Sequence, residues 1–213
     1  MKKVLVLASL GLLALSFACG GSKDTGSDDQ KTSEGQSAFV FNSMIPAIVD
    51  GTEAVLEGIT NSVHVDTAVE DIDPVSLTCD SGNIDITGTA NGDQGILDLI
   101  FDFNNCSIVD PLCETGQNVT ANGSLNFVIQ VNLSGDEAVE EINVDTSLDG
   151  TITITGIFEK SCVIDINTTN TIINLELGPV FEDFNFTGTI CGVNIQEILD
   201  IEETEREELC QTL

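Results

Sequence analysis

From Asn118 to Ser134 the chain alternates with period two: Val119, Ala121, Gly123, Leu125, Phe127, Ile129, Val131 and Leu133 share one phase, and all but Val128 in the other are polar. Strict alternation of this kind marks a half-buried antiparallel strand. Residues 140–156 repeat it, with Ile142, Val144, Thr146, Leu148, Gly150, Ile152, Ile154 and Gly156 in phase. Asn122-Gly123 and Asp149-Gly150 are strong hairpin-turn signals, so each long strand has a competing reading as two short ones. Turns there would set Val119 against Asn126 and Leu148 against Thr151, mixing apolar and polar groups on one face. The buried face sets register, so two continuous strands are expected. A turn centred on Gly135-Asp136 pairs Ile129 with Ile142, Phe127 with Val144, Gly123 with Leu148 and Gly150 with Ala121.

The same reading extends outward from this hairpin. Ile84, Ile86, Gly88 and Ala90 face Leu97, Leu99, Phe101 and Phe103 across a turn at 91–94, which pairs Ile86 with Leu99 and sets Cys79 opposite Cys106. Beyond the central pair, Phe158, Cys162, Ile164 and Ile166 share a phase after a turn at 159–161. Thr169-Asn170 then shifts the phase to Ile173, Leu175 and Leu177, Gly178-Pro179 stops the strand, and Phe184, Phe186, Gly188 and Ile190 form the last one. Glycine recurs in the inner phase at 88, 123, 150 and 188, followed each time by Ser or Thr. Interior glycines of this kind mark bends or bulges, so the sheet is expected to coil strongly.

The ends of the domain follow a different period. Between Ser37 and Ile59 the apolar residues recur at mixed helical spacings, which predicts one or two short helices with Ser37 as an N-cap, Pro46 near a break and Asp50-Gly51 as an interruption. Residues 61–73 are ambiguous up to Pro74. From Asn194 the pair Asn194 and Glu197 resembles a capping box, and Ile195, Ile198 and Leu199 give a short helix an apolar stripe. The expected fold is mainly β: one coiled antiparallel sheet, sandwich or open barrel of about seven or more strands, with an N-terminal helical segment and a short C-terminal helix.

Residues 1–18 hold two lysines and then an uncharged apolar run ending in small residues, the layout of a secretory signal and too short for a permanent membrane span. Leu15-Ser16-Phe17-Ala18-Cys19 resembles the lipobox of bacterial lipoproteins, although Ser16 stands where the family usually has leucine. The resemblance implies that Cys19 is acylated and becomes the mature N-terminus, and Gly20 after it implies delivery to the outer membrane. The competing reading is an ordinary secretory peptide with an incidental cysteine. Residues 19–37 are rich in Gly, Ser, Asp, Lys and Thr and read as a flexible tether, leaving 38–213 as a single β domain.

Removing residues 1–18 takes away Lys2 and Lys3, so the formal charge moves from -30 to about -32. Such a surface repels nucleic acid and anionic lipid and keeps the domain soluble. Six cysteines besides Cys19, in an exported chain, predict disulfides rather than zinc, because no Cys-x-x-Cys pair exists. Cys79 with Cys106 is the pair the strand register favours. Cys191 with Cys210 and Cys113 with Cys162 is one of several ways to join the other four.

Candidate catalytic chemistry is thin. His64, the single histidine, sits between Val63 and Val65, and no Gly-x-Ser-x-Gly elbow accompanies it. Paired carboxylates could serve glycoside hydrolysis, but the chain has no Trp or Tyr to form a sugar platform. Acidic stretches at 71–73, 91–98 and 136–141 depart from the twelve-residue calcium loop and read as solvated surface. Neither an enzyme, a metal nor a cofactor is expected. Two functions remain: a scaffold or interaction module anchored through Cys19 with a protein partner, or a carrier holding an apolar ligand such as a lipid under an N-terminal helical lid. The second resembles periplasmic lipoprotein carriers in layout alone.

Overall fold

A computed structural model describes residues 28–61, 69–109, 118–136, 139–156, 158–175 and 178–200. Helix α1 (Asp28–Asn61) precedes eight strands, β1 (Val69–Thr78), β2 (Asn83–Asn91), β3 (Ile96–Val109), β4 (Asn118–Asp136), β5 (Val139–Gly156), β6 (Lys160–Leu175), β7 (Gly178–Ile190) and β8 (Val193–Asn194), and the short helix α2 (Ile195–Leu199) follows. Each strand pairs antiparallel with its sequence neighbours in the order β1 to β8, so β1 and β8 are the edges of one open sheet. Of the expected alternatives, the described residues form one open antiparallel sheet and not a sandwich.

The long strands are continuous. Asn122-Gly123 and Asp149-Gly150 lie inside β4 and β5, which pair from Val119↔Gly156 to Asp136↔Val139 without a break. The register differs from the expected one by four residues: Ile129 faces Thr146, Val131 faces Val144, Gly123 faces Ile152 and Gly150 faces Leu125. Gly135 and Asp136 are paired residues of β4, opposite Glu140 and Val139, rather than the centre of the turn. Between β2 and β3 the shift is two residues, with Ile86 opposite Phe101 and Ile84 opposite Phe103. Both shifts are even, so every side chain keeps its face and the hydrophobic pattern is satisfied either way.

Four of the recurring inner-phase glycines let neighbouring backbones close in. A Cβ at Gly150, whose φ is +148°, would lie 2.3 Å from the Ser124 carbonyl oxygen; at Gly188, φ +116°, it would lie 1.9 Å from that of Asp165. Gly88 and Gly123 have the same relation to Asp98 and Thr151. Each glycine permits a kink in its strand, and together they let the sheet curl over the helix.

The helix explains what the curl encloses. Ala38, Phe39, Val40 and Phe41 are all buried, as are Ser37, Met44, Ile48 and Val55. Consecutive buried residues from Ser37 to Phe41 leave this turn of the helix no solvent face, while Pro46, Asp50, Glu53 and Glu57 further along form an exposed stripe. These side chains form one core with Ile84, Ile86, Leu99, Phe101, Leu125, Phe127, Ile152 and Ile164 of the sheet. The expected break does not occur: α1 runs on through Pro46 and Gly51. Pro46 is on an exposed position, and the space of a Cβ at Gly51 is taken by Ile86 Cδ1 at 2.5 Å and Phe101 Cε1 at 2.7 Å. Gly51 therefore marks close helix–sheet approach rather than an interruption. Ser37 is inside the helix and not its cap, and the helix begins at Asp28, within the stretch expected to be a tether.

Three further strand expectations are corrected. Strand β1 starts at Val69, inside the ambiguous stretch, and contains Pro74, which an edge strand tolerates at the register shift between Ile72 and Val75. In β6 the phase does not flip at Thr169-Asn170, because Thr168 and Asn170 continue the buried face begun by Cys162, Ile164 and Ile166. Gly178-Pro179 opens β7 instead of ending a strand, and a further register shift between Thr169 and Thr171 absorbs the mismatch. At the C-terminal side the capping expectation holds for Asn194, whose side-chain oxygen accepts from the Gln196 N–H at 2.9 Å, while Ile195, Ile198 and Leu199 are buried.

Candidate functional site

The cysteines are the first group to place. Cys79 and Cys106 are bonded, with Cα atoms 5.4 Å apart. The route differs from simple strand opposition, since Cys79 follows β1 in the turn to β2, where its N–H donates to the Gly82 carbonyl at 3.3 Å. On the other side, Asn105 adopts φ +51° and the β3–β4 register shifts between Phe103 and Cys106, which turns Cys106 inward. The Asn105 N–H donates to Asn122 Oδ1 at 2.9 Å, so the bulge has its own side-chain support.

Cys162 is bonded to Cys191, with a Cα separation of 4.3 Å. This overturns the pairings of Cys191 with Cys210 and Cys113 with Cys162. The cause is local: Ile164 pairs with Ile190, and the Cys191 N–H donates to the Val163 carbonyl at 2.9 Å, which carries Cys191 alongside Cys162. The last strand is thus tied to its sheet neighbour rather than to the terminal helix. Cys19, Cys113, Cys210 and His64 lie outside the described residues. Among the described residues no group of three or more His, Cys, Asp or Glu side chains is placed to hold a metal ion.

Inside the fold, two polar side chains stand out from the apolar core. Ser43 Oγ on α1 and Asn170 Oδ1 on β6 are buried and find no hydrogen-bond partner among the described residues. Nearby in the sheet pairing, Thr168 is opposite Thr146, and their hydroxyls are 2.6 Å apart. Neither Ser43 nor Asn170 was singled out from the sequence, where Asn170 read as part of a phase change.

The outer face is built differently. Pairing across five strands sets Ile100, Asn126, Asp149 and Asp165 in one row, ending at Thr189, and Asp85, Asp102, Ser124, Thr151 and Val163 in the next. Neighbouring positions are about 4.8 Å apart across strands and about 6.8 Å apart along them. No Lys, Arg or His occupies an outer position on the described strands; Lys160 belongs to the inner phase at the start of β6, where burial lowers its pKa. Some acids are absorbed locally: Asp85 accepts from Ser76 Oγ at 2.7 Å, from Asn83 Nδ2 at 2.6 Å and from Asn104 Nδ2 at 2.9 Å. With its amide nitrogen turned toward β3, Asn126 donates to Asp98 Oδ1 at 2.8 Å. Asp149 and Asp165 differ, being exposed and directly opposed, with one long contact from Asn167 Nδ2 to Asp165 at 3.3 Å.

Comparison with protein-family models, with curated proteins and with solved structures finds no match for this chain.

Proposed function

We propose that the protein is an exported lipoprotein, anchored in the outer membrane through an acylated Cys19, that works as a non-enzymatic scaffold or interaction module. The observation that carries this reading is the filling of the sheet's interior by the chain's own helix. Phe39, Phe41, Met44 and Ile48 occupy the space that a carrier would keep for its ligand. Length and composition alone would let the segment Glu34–Gly58 cross a membrane, yet much of it is buried within the fold. Its apolarity is accounted for by the sheet around it, which leaves the polar outer face for contact with other molecules. Two disulfides suit an oxidising compartment outside the cytosol.

Cys19→Ser tests the anchor: the variant should move from the membrane pellet to the soluble fraction, and mass spectrometry of the parent should find a lipid on Cys19. A parent chain with an unmodified N-terminus at another residue would remove the anchor from the proposal. The carrier reading keeps one observation in its favour, the unpartnered Ser43 and Asn170 atoms in the core. Native mass spectrometry of protein extracted from its own membranes separates the two. A stoichiometric bound lipid would favour the carrier, and bare protein the interaction module.

A further inference from the structure

The outer face carries a feature that sheet stability does not explain. Asp149 on β5 and Asp165 on β6 are direct cross-strand partners, and like charges placed this way destabilise a sheet. Asp85 and Asp102 oppose each other in the next row, but there three side-chain donors surround Asp85. The Asp149–Asp165 pair has no comparable compensation, and among the described strand residues no base stands on its face. It is also not purely polar ground. Of the large apolar side chains exposed among the described residues, Ile100 (41% exposed) and Val163 (58%) stand on this same face. Ile100 shares the row of the acidic pair and Val163 adjoins it on β6, two residues from Asp165.

We propose that the outer face centred on Asp149 and Asp165 is a docking surface for a basic protein partner. The inference rests on the reading of the chain as an interaction module and supplies the partner's chemistry. A guanidinium or ammonium group set between the two carboxylates relieves their repulsion and forms charge-assisted hydrogen bonds. The apolar stem of the same Arg or Lys covers Val163, as long cationic side chains do on mixed surfaces, and an apolar partner residue further along the row meets Ile100. Charge complementarity selects this occupant: a chain of formal charge -30, with a sheet face free of bases, disfavours anionic partners. The exposed isoleucine and valine favour a protein over a mineral or a dissolved cation, neither of which gains from apolar contact.

The experiment compares full-length protein and two double variants for binding a labelled peptide of alternating arginine and valine. Measured at ~0.15 M salt, where charges farther apart than about 8 Å are screened, the assay reports close contact. Asp149→Asn with Asp165→Asn should weaken binding about tenfold or more. Asp50→Asn with Glu53→Gln removes the same charge from exposed positions of α1 and should change it less than about twofold. Equal losses in both variants, or no binding by the parent, overturn the proposal. A photo-crosslinker at Thr151, in cells that export the protein, separates this failure from failure of the broader reading. Capture of a partner through an acidic or neutral surface refutes the basic-partner inference and leaves an interaction module standing, whereas no capture from Thr151 or from Glu53 refutes both.

Discussion

Replacing Gly150 by alanine adds a single methyl group, and the structure fixes both the sign and the size of the result. In an unconstrained position the change would stabilise the protein by about 0.4–1 kcal/mol, because alanine narrows the unfolded ensemble. At Gly150 the φ of +148° is one that side-chain-bearing residues rarely adopt, and the new Cβ would sit 2.3 Å from Ser124 O and 3.0 Å from Leu125 Cα. Holding a residue in such a conformation costs of order 1–3 kcal/mol, and forcing two strands apart adds about 1–3 kcal/mol of overpacking. After the unfolded-state gain is subtracted, Gly150→Ala should destabilise the fold by about 1–5 kcal/mol, a large part of the roughly 5–15 kcal/mol available to a domain. Gly58 in α1 is the internal control, since a Cβ there meets nothing within 4 Å; Gly58→Ala should stabilise by about 0.5–1 kcal/mol. Thr151→Val, on the exposed face one residue along, should change stability by less than about 0.5 kcal/mol. Urea denaturation with disulfides intact gives each value from the midpoint at unchanged m. A neutral or stabilising Gly150→Ala would refute the view that glycine is required for close strand approach.

Other outcomes follow from the packing. Phe39 is 2% exposed and packs edge-on against Phe158 with ring centroids 5.8 Å apart, so Phe39→Ala should cost about 3–5 kcal/mol in the same melts; a loss below about 1 kcal/mol would mean that the helix is not enclosed. Peptide mapping under non-reducing conditions should recover Cys79 linked to Cys106 and Cys162 linked to Cys191, and a Cys191–Cys210 peptide would contradict the fold. Removing the Cys79–Cys106 bond by a double serine substitution should lower stability by about 3 kcal/mol, given the sequence separation of 27, and unchanged melts would show that the loop is constrained by other means.

The faces of the sheet were legible from residue identity and its register was not, for one physical reason. Alternation distinguishes odd shifts from even ones, since only an odd shift sends Leu125 and Ile152 to solvent. Between even registers the choice belongs to the turn, and the Gly135-Asp136 signal was outweighed by pairing that continues to Asp136↔Val139. In α1, Pro46 and Gly51 carry strong local preferences against helix, yet burial of Phe39, Met44, Ile48 and Val55 in the curled sheet overrides them. Thr168 and Asn170 misled for the complementary reason: they are polar residues on an inward phase, and polarity read as exposure. The outer acidic rows were present in the sequence as single residues, but their opposition depends on the β5–β6 register and became visible only with the fold.

The Phe39–Phe158 contact also sets which way the molecule points. Phe158 follows β5 at the end of the sheet where Cys162 meets Cys191 and where Cys79, in the β1–β2 turn, meets Cys106. Gly51 lies twelve residues further along α1, about 18 Å at the helical rise, against Ile86 and Phe101 in the middle of the sheet. The amino end of the helix therefore exits through the disulfide-closed end. If Cys19 carries the lipid proposed above, that end would face the bilayer and the β2–β3 hairpin, with Asp93 in its turn, would point away from it. Tension applied through the anchor would load α1 and its packing inside the sheet first, then the β1–β2 pairing, and would reach the Cys79–Cys106 bond only after both.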